Sequence, residues 1–551
     1  MKEVYSNPDY TRVGFGESML KEAGIACFIR NANIALPIVG FSAEQTLPTL
    51  CITADEEWDR AQEILSPLLQ DGKPQEEAAS EWICPFCGEA VPGEFQSCWK
   101  CGALHPNLAG IAREQTEPSS SPSWGDLDKR YLWHPFTPMS AWCAPEHEPM
   151  VITQAKGCEL FDDKGNKYLD GNSSIWTNIH GHNHPRIKEA IRAQLEELEH
   201  TSFLGTTHPA AIQLGQELVG QFPEGTLSKV FFSDNGSTAV ESALRMALQY
   251  WSQNGRPERD LILAFDSAYH GDTLGAASLG GISLFKGSAN HFGYAVKRIS
   301  SAMDLVKLSP EEERRVAAVI IEPLMQGAAG MRVWPKGMLR QIAEWRKQKD
   351  TFLILDEVMT AFGRTGTLFA CEQEEVIPDF LCCAKGITGG YLPLAATLTT
   401  QRVFDGFLGD PSEGRTFYYG HSYTANPLGC AAALASLAIF REENVLEKLA
   451  GKIEAFTGLL ATLESLSHVK EIRQCGFIAG IELVADKSAQ TSYAPHLLTG
   501  AKVCREARHH GLLTRPIGDT LVLMPPLSVT QDELTRMVTA LRKAIVEICG
   551  S

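Results

Sequence analysis

The chain has 551 residues, 44% hydrophobic and 21% charged, which suits a soluble globular protein of several domains and excludes a disordered one. A formal charge of −18 argues against a nucleic-acid partner, because a phosphate backbone is met by clustered Lys and Arg. The 15 cysteines are odd in number in a long chain, and MKEVYSNPDY has no apolar signal region, so a reducing cytoplasm is expected rather than secretion.

Residues 1–70 read as a small β-α-β-β-α unit. Strands are expected at Lys2–Tyr5, Ile25–Arg30 and Thr49–Thr53, and a helix starts at Asp9 and is ended by Gly24. Asp55 is placed to cap a second helix, on which Trp58, Ala61, Ile64, Leu65 and Leu68 recur at helical spacing. The pattern resembles a small bacterial module, with a proposed signal-transducing role, that often precedes a zinc ribbon. These residues do not identify its partner.

A polar linker from Gln70 to Ser80 leads to residues 81–105, which hold Cys84, Cys87, Cys98 and Cys101 as two CxxC knuckles, each followed by glycine. Four thiolates at this spacing surround one tetrahedral ion, and the glycines let backbone amides turn toward sulfur. Structural zinc is expected, with iron or a redox pair as the alternatives. All four positions are filled by protein, which leaves no open coordination site for catalysis. A Ser- and Pro-rich linker covers 106–123.

From residue 124 to 551, strand-like and helix-like segments alternate, which argues an α/β fold with a mainly parallel sheet and a smaller C-terminal lobe from about residue 444. In that lobe, strands are expected at Ile472–Leu483 and Leu521–Met524. The most apolar helical stretch, Gly429 to Phe440, is too short to span a bilayer and reads as a buried helix, so no membrane partner is expected.

The chemistry lies where the apolar runs end. Val230–Phe232 precedes SDNGST and a helix, a turn that offers backbone amides and hydroxyls to an anion such as phosphate. Leu261–Phe265 leads to Tyr269-His270-Gly271-Asp272, where the tyrosine ring suits a flat cofactor. Val316–Ile321 ends in Glu322-Pro323, Phe352–Leu355 ends in Asp356, and Phe380–Ala384 ends in Lys385 followed by glycines. Taken singly, these have plainer readings: a turn-forming Asp, a solvated Lys, a Ser/Thr helix cap. Together they fit ligand binding at the carboxyl ends of strands in an open sheet. A buried carboxylate for a pyridinium nitrogen and a desolvated, nucleophilic lysine are what pyridoxal phosphate requires.

In order, NGST, YHGDT, IIEP, LDEVMTAFGRTG and AKGITGGYLPLAA resemble the class III aminotransferases, of pyridoxal-phosphate-dependent fold type I. The resemblance covers about Asp128 to Ser551. It implies Lys385 as the Schiff-base lysine, Asp356 on the ring nitrogen, Tyr269 stacked on the ring, and Gly236 and Ser237 on the phosphate. Ser422, in GHSYTANPLGC, matches a threonine that reaches the phosphate from the neighbouring subunit. A homodimer with its sites at the interface, acting on small-molecule substrates, is therefore implied.

Within that family, LWHPFTPM at 132–139, SSIWTNIHGH at 173–182 and LTRP at 513–516 are similar to the adenosylmethionine-8-amino-7-oxononanoate aminotransferases of biotin synthesis. That similarity implies Arg515 on the substrate carboxylate, Trp176 along its apolar chain, and Phe136 and Gly420 in the same pocket. The implied reaction converts 8-amino-7-oxononanoate to 7,8-diaminononanoate, with S-adenosylmethionine or lysine as amino donor. Members using S-adenosylmethionine usually carry Tyr at the position of Phe136 and Trp at that of Ile175, so this chain leans toward lysine. The alternative is another class III ω-amino-acid transaminase or aminomutase.

Overall fold

The computed structural model describes residues 2–7, 10–30, 48–70, 82–84, 90–91, 122–282 and 293–550. It divides into two compact units, Met1–Ser121 and Pro122–Ser551. Among the described residues, no helix is long and apolar enough to cross a membrane.

In the first unit, strands Lys2–Ser6, Thr49–Ile52 and Cys27–Arg30 form an antiparallel sheet in that spatial order, packed by helices Tyr10–Glu22 and Trp58–Gln70. The periodicity of the second helix explains its packing. Ala61 and Leu65 are fully buried beside Val13, Leu20, Leu50 and Ile52, while Trp58 stays partly exposed with the Lys2 ammonium 5.5 Å from its ring centre. Asp55 does not cap this helix. It is the first residue of a short 3-10 turn, Asp55–Glu57, and Ala54 holds the capping position with no side-chain acceptor.

Farther along, Trp82–Ile83 pairs antiparallel with Ala90–Val91, and Cys84 is buried at the end of this hairpin. The other expected zinc ligands, Cys87, Cys98 and Cys101, lie outside the described residues, as do most of the two linkers.

The second unit is organised around a seven-stranded sheet. Its strands in chain order are β1 (Leu227–Ser233), β2 (Leu261–Phe265), β3 (Ala295–Ile299), β4 (Val316–Ile321), β5 (Phe352–Asp356), β6 (Phe380–Cys383) and β7 (Ala395–Thr400). They lie in the order β3-β2-β4-β5-β6-β7-β1, and only β7 runs antiparallel to its neighbours. The uninterrupted apolar runs follow from burial of both faces. Leu261, Leu263 and Phe265 face one core cluster, and Ile262 and Ala264 face the other. Helix α1 (Gly236–Gln253) covers the second face and helix α2 (Pro427–Glu442) the first.

The smaller lobe differs from expectation in two ways. The single strand anticipated over Ile472–Leu483 is a hairpin, Val469–Cys475 and Ile478–Leu483, turning at Gly476 with φ +58°. A Cβ at Gly476 would stand 2.3 Å from the Thr365 carbonyl carbon, so the turn admits only glycine. The lobe also draws on chain that precedes the large sheet. Leu512–Leu513 pairs parallel with Lys167–Asp170, which continues into Glu159–Asp162 and Ile152–Lys156.

Candidate active site

Parallel strands that end side by side bring their following residues into one crevice. The five strand ends singled out in the sequence meet around a cavity of about 450 Å³, lined among others by Gly236, Ser237, Tyr269, Glu322, Asp356 and Lys385.

At one wall, α1 begins immediately after β1. Asn235 caps it by accepting from Thr238 N at 3.1 Å, and Gly236 and Ser237, the first two residues of the helix, line the cavity. A Cβ at Gly236 would meet Val358 Cγ1 at 2.6 Å, so the backbone approaches as closely as glycine allows. Ser237 Oγ accepts from Asp272 N at 3.0 Å, tying the helix start to the loop that follows β2. In that loop the Tyr269 hydroxyl donates to Asp272 Oδ2 at 2.8 Å, and burial together with this acceptor raises the phenol pKa, so Tyr269 stays neutral.

At the opposite end, Asp356 is 5% exposed at the tip of β5. Its Oδ1 accepts from Val358 N at 3.1 Å and its Oδ2 from His270 Nδ1 at 2.7 Å. His270 is itself buried, and among the described residues its Nε2 has no hydrogen-bond partner. In the sequence His270 stands within a polar strand end with nothing nearby to indicate a role. The pairing was hidden because β2 and β5 are separated by β4 and by 86 residues of chain.

Lys385 follows β6 with a left-handed backbone, φ +47°. Burial pushes its ammonium below the ordinary lysine range, and the carboxylates of Asp356 and Glu322 oppose that shift. The Lys385 Nζ lies 5.0 Å from the centre of the Trp176 ring. Glu322, also unassigned from sequence, is pushed up to about 7 by burial, His270 opposing and Asp356 adding to the shift; its carboxylate accepts from Gly327 N at 3.0 Å. Trp176 is held by a bond from its Nε1 to Asn172 Oδ1 at 2.9 Å and packs with Met325, Met359 and Val522. In the FGRTG segment, the fully buried Arg364 donates to Pro525 O at 2.6 Å, joining the large sheet's loops to the C-terminal lobe.

A carboxylate, a desolvated amine, a neutral aromatic ring and a helix N-terminus around one cavity form a donor set that matches the pyridine nitrogen, aldehyde, ring and phosphate of pyridoxal phosphate. Residues 142–545 match the family model described as aminotransferase class-III. This chain belongs to the class III aminotransferases.

Residues 1–68 of this aminotransferase match a second model, that of a candidate prokaryotic signal transducing protein. A relative from Nitratidesulfovibrio vulgaris, named adenosylmethionine-8-amino-7-oxononanoate aminotransferase, is 48% identical over 443 residues, covering 77% of this chain and 81% of its own. The crystal structure of the enzyme of that name from Methanocaldococcus jannaschii is 40% identical with a TM-score of 0.75, covering 77% of this chain and 98% of its own. An amine transaminase from an uncultivated Pseudomonas species, solved with pyridoxal phosphate bound, is 34% identical with a TM-score of 0.71, covering 76% and 99%. The family and this cofactor-bound structure support pyridoxal phosphate as the aminotransferase's cofactor.

Four sequence candidates lie apart from the cavity lining in the single chain: Phe136, Gly420, Ser422 and Arg515. Phe136 is 63% exposed, and Ser422 and Arg515 are also exposed.

Proposed function

We propose that the chain is a cytoplasmic, homodimeric enzyme that transfers an amino group to 8-amino-7-oxononanoate, giving 7,8-diaminononanoate in biotin synthesis. The observation that carries this reading is the 48% identity to a relative of that name, against 34% for an amine transaminase of similar fold. When bound, pyridoxal phosphate supplies a ring that accepts the electrons released as the donor carbon loses its proton.

The protein's residues do the rest. Lys385 would hold the cofactor at its aldehyde end, and its desolvated amine would move the proton at the donor carbon. Asp356, steadied by His270, keeps the ring nitrogen protonated. Tyr269 packs on the ring, and Gly236 and Ser237 hold the phosphate together with Ser422 of the partner subunit. Arg515 binds the substrate carboxylate with its planar fork, and Trp176 lies along the apolar chain, with Phe136 and Gly420 completing the pocket. The large rings left exposed on Phe136, Tyr418 and Tyr423 support a covering second copy.

The test is turnover of 8-amino-7-oxononanoate with S-adenosylmethionine or with lysine as donor. Product from either supports the reading, and the more effective donor settles the choice that Phe136 and Ile175 leave leaning to lysine. Turnover of ω-amino acids with no 7,8-diaminononanoate formed would overturn it in favour of the alternative. In the first unit we propose one structural zinc on Cys84, Cys87, Cys98 and Cys101, supported by the CxxC spacing and the burial of Cys84. Metal analysis that finds no zinc in the purified full chain would overturn this.

A further inference from the structure

Glu241 lies on the second turn of α1, outside the cavity lining, and is only 7% exposed. A buried carboxylate needs compensating donors, and each of its oxygens has them. Oε2 accepts from Thr273 Oγ1 at 2.8 Å and from Ala276 N at 3.1 Å, and Oε1 accepts from Tyr294 OH at 2.8 Å. Arg245 Nε stands 3.6 Å from Oε1. The fit is close enough that a Cβ on Gly275 would lie 2.3 Å from Oε1. None of these partners is among the residues that line the cavity, so the cluster's role lies in what it fixes.

It fixes the loop after β2 against α1. That loop is bound to α1 twice: at the helix start, where Ser237 Oγ accepts from Asp272 N, and a turn later, where Glu241 takes Thr273 and Ala276. Asp272 in turn holds the Tyr269 hydroxyl. The helix start is the phosphate end of the proposed cofactor site, and Tyr269 is the ring-stacking end. We infer that Glu241 is a positioning residue that sets the spacing between the phosphate cradle and the stacking ring, and so makes the phosphate group contribute to cofactor affinity. This rests on the pyridoxal phosphate reading above.

The test uses full-length protein stripped of cofactor and titrated separately with pyridoxal phosphate and with pyridoxal, following the absorbance of the lysine-bound cofactor. In wild type, the phosphate form binds more tightly by some ratio. Glu241→Ala is expected to reduce that ratio by about tenfold, since two charge-assisted bonds to the loop are lost. Glu241→Gln keeps one oxygen acceptor and is expected to restore most of it. A merely structural loss would weaken both ligands equally, so an unchanged ratio in Glu241→Ala overturns the inference. If that variant fails to fold, Tyr294→Phe removes a single donor and must still lower the ratio, by about threefold, or the inference falls. Wild type that binds neither ligand fails the cofactor reading itself, and this inference with it.

Discussion

The two units handle buried charge in opposite ways. Among the described residues of the first, the buried side chains are apolar apart from Thr49, the Tyr5 hydroxyl and the thiols, and no carboxylate or guanidinium is enclosed. The second encloses Asp356, Glu322, Glu357, Glu241 and Arg364, several of them beside one another at the ends of parallel strands. Taking an ion out of water costs several kcal/mol, so a fold that does this repeatedly in one place is constrained by the site's chemistry as well as by packing. The described part of the first unit, by contrast, is packed around apolar contacts, with no enclosed ion at a strand end.

Four experiments test that contrast. Lys385→Ala should lower turnover by at least about a thousandfold and abolish the absorbance of lysine-bound cofactor, measured on the purified variant; retention of either would remove the chemical role of the enclosed cluster. Arg515→Ala should raise KM for 8-amino-7-oxononanoate by roughly 10- to 100-fold with little change in kcat, because the charged partner proposed for the substrate carboxylate would be lost before the chemical step.

Glu322→Gln probes the cost of enclosure directly. A carboxyl raised to about 7 in the fold favours the protonated form, so its contribution to stability is full below the ordinary carboxylate range and is lost as pH rises through 7. The variant should therefore gain stability over wild type between pH 5 and pH 8, on the order of 3 kcal/mol at most. A difference in Tm that is the same at both pH values would contradict it. The smallest effect concerns the other unit: protein beginning at Ser123 should keep kcat within about twofold of the full chain, since all the residues assigned to chemistry lie in Pro122–Ser551. A large loss would mean that the first unit contributes to turnover.

Much of this was legible in the sequence because strands buried on both faces read as unbroken apolar runs. Val316–Ile321 and Leu261–Phe265 have the bounds the runs suggest, and Asp356 and Lys385 stand at the ends of theirs. What escaped was contact across the chain. The His270–Asp356 bond spans 86 residues, Leu512–Leu513 pairs with Lys167–Asp170 more than 300 residues earlier, and Glu241 finds partners 32 to 53 residues downstream. Local periodicity encodes which face is buried but not which strand end lies opposite. The hairpin at Gly476 was missed for another reason: its two strands are both β-like, and a single glycine between them carried the reversal.

The left-handed backbone at Lys385 has a consequence for how this position can change. A side chain bearing a Cβ held at φ +47° costs about 1 kcal/mol relative to glycine, which adopts that conformation freely. Lys385→Gly should accordingly melt at a higher temperature than Lys385→Ala in the absence of cofactor, while both are inert. The amine proposed for cofactor binding at the end of β6 would thus be carried on a backbone conformation that glycine adopts at lower cost.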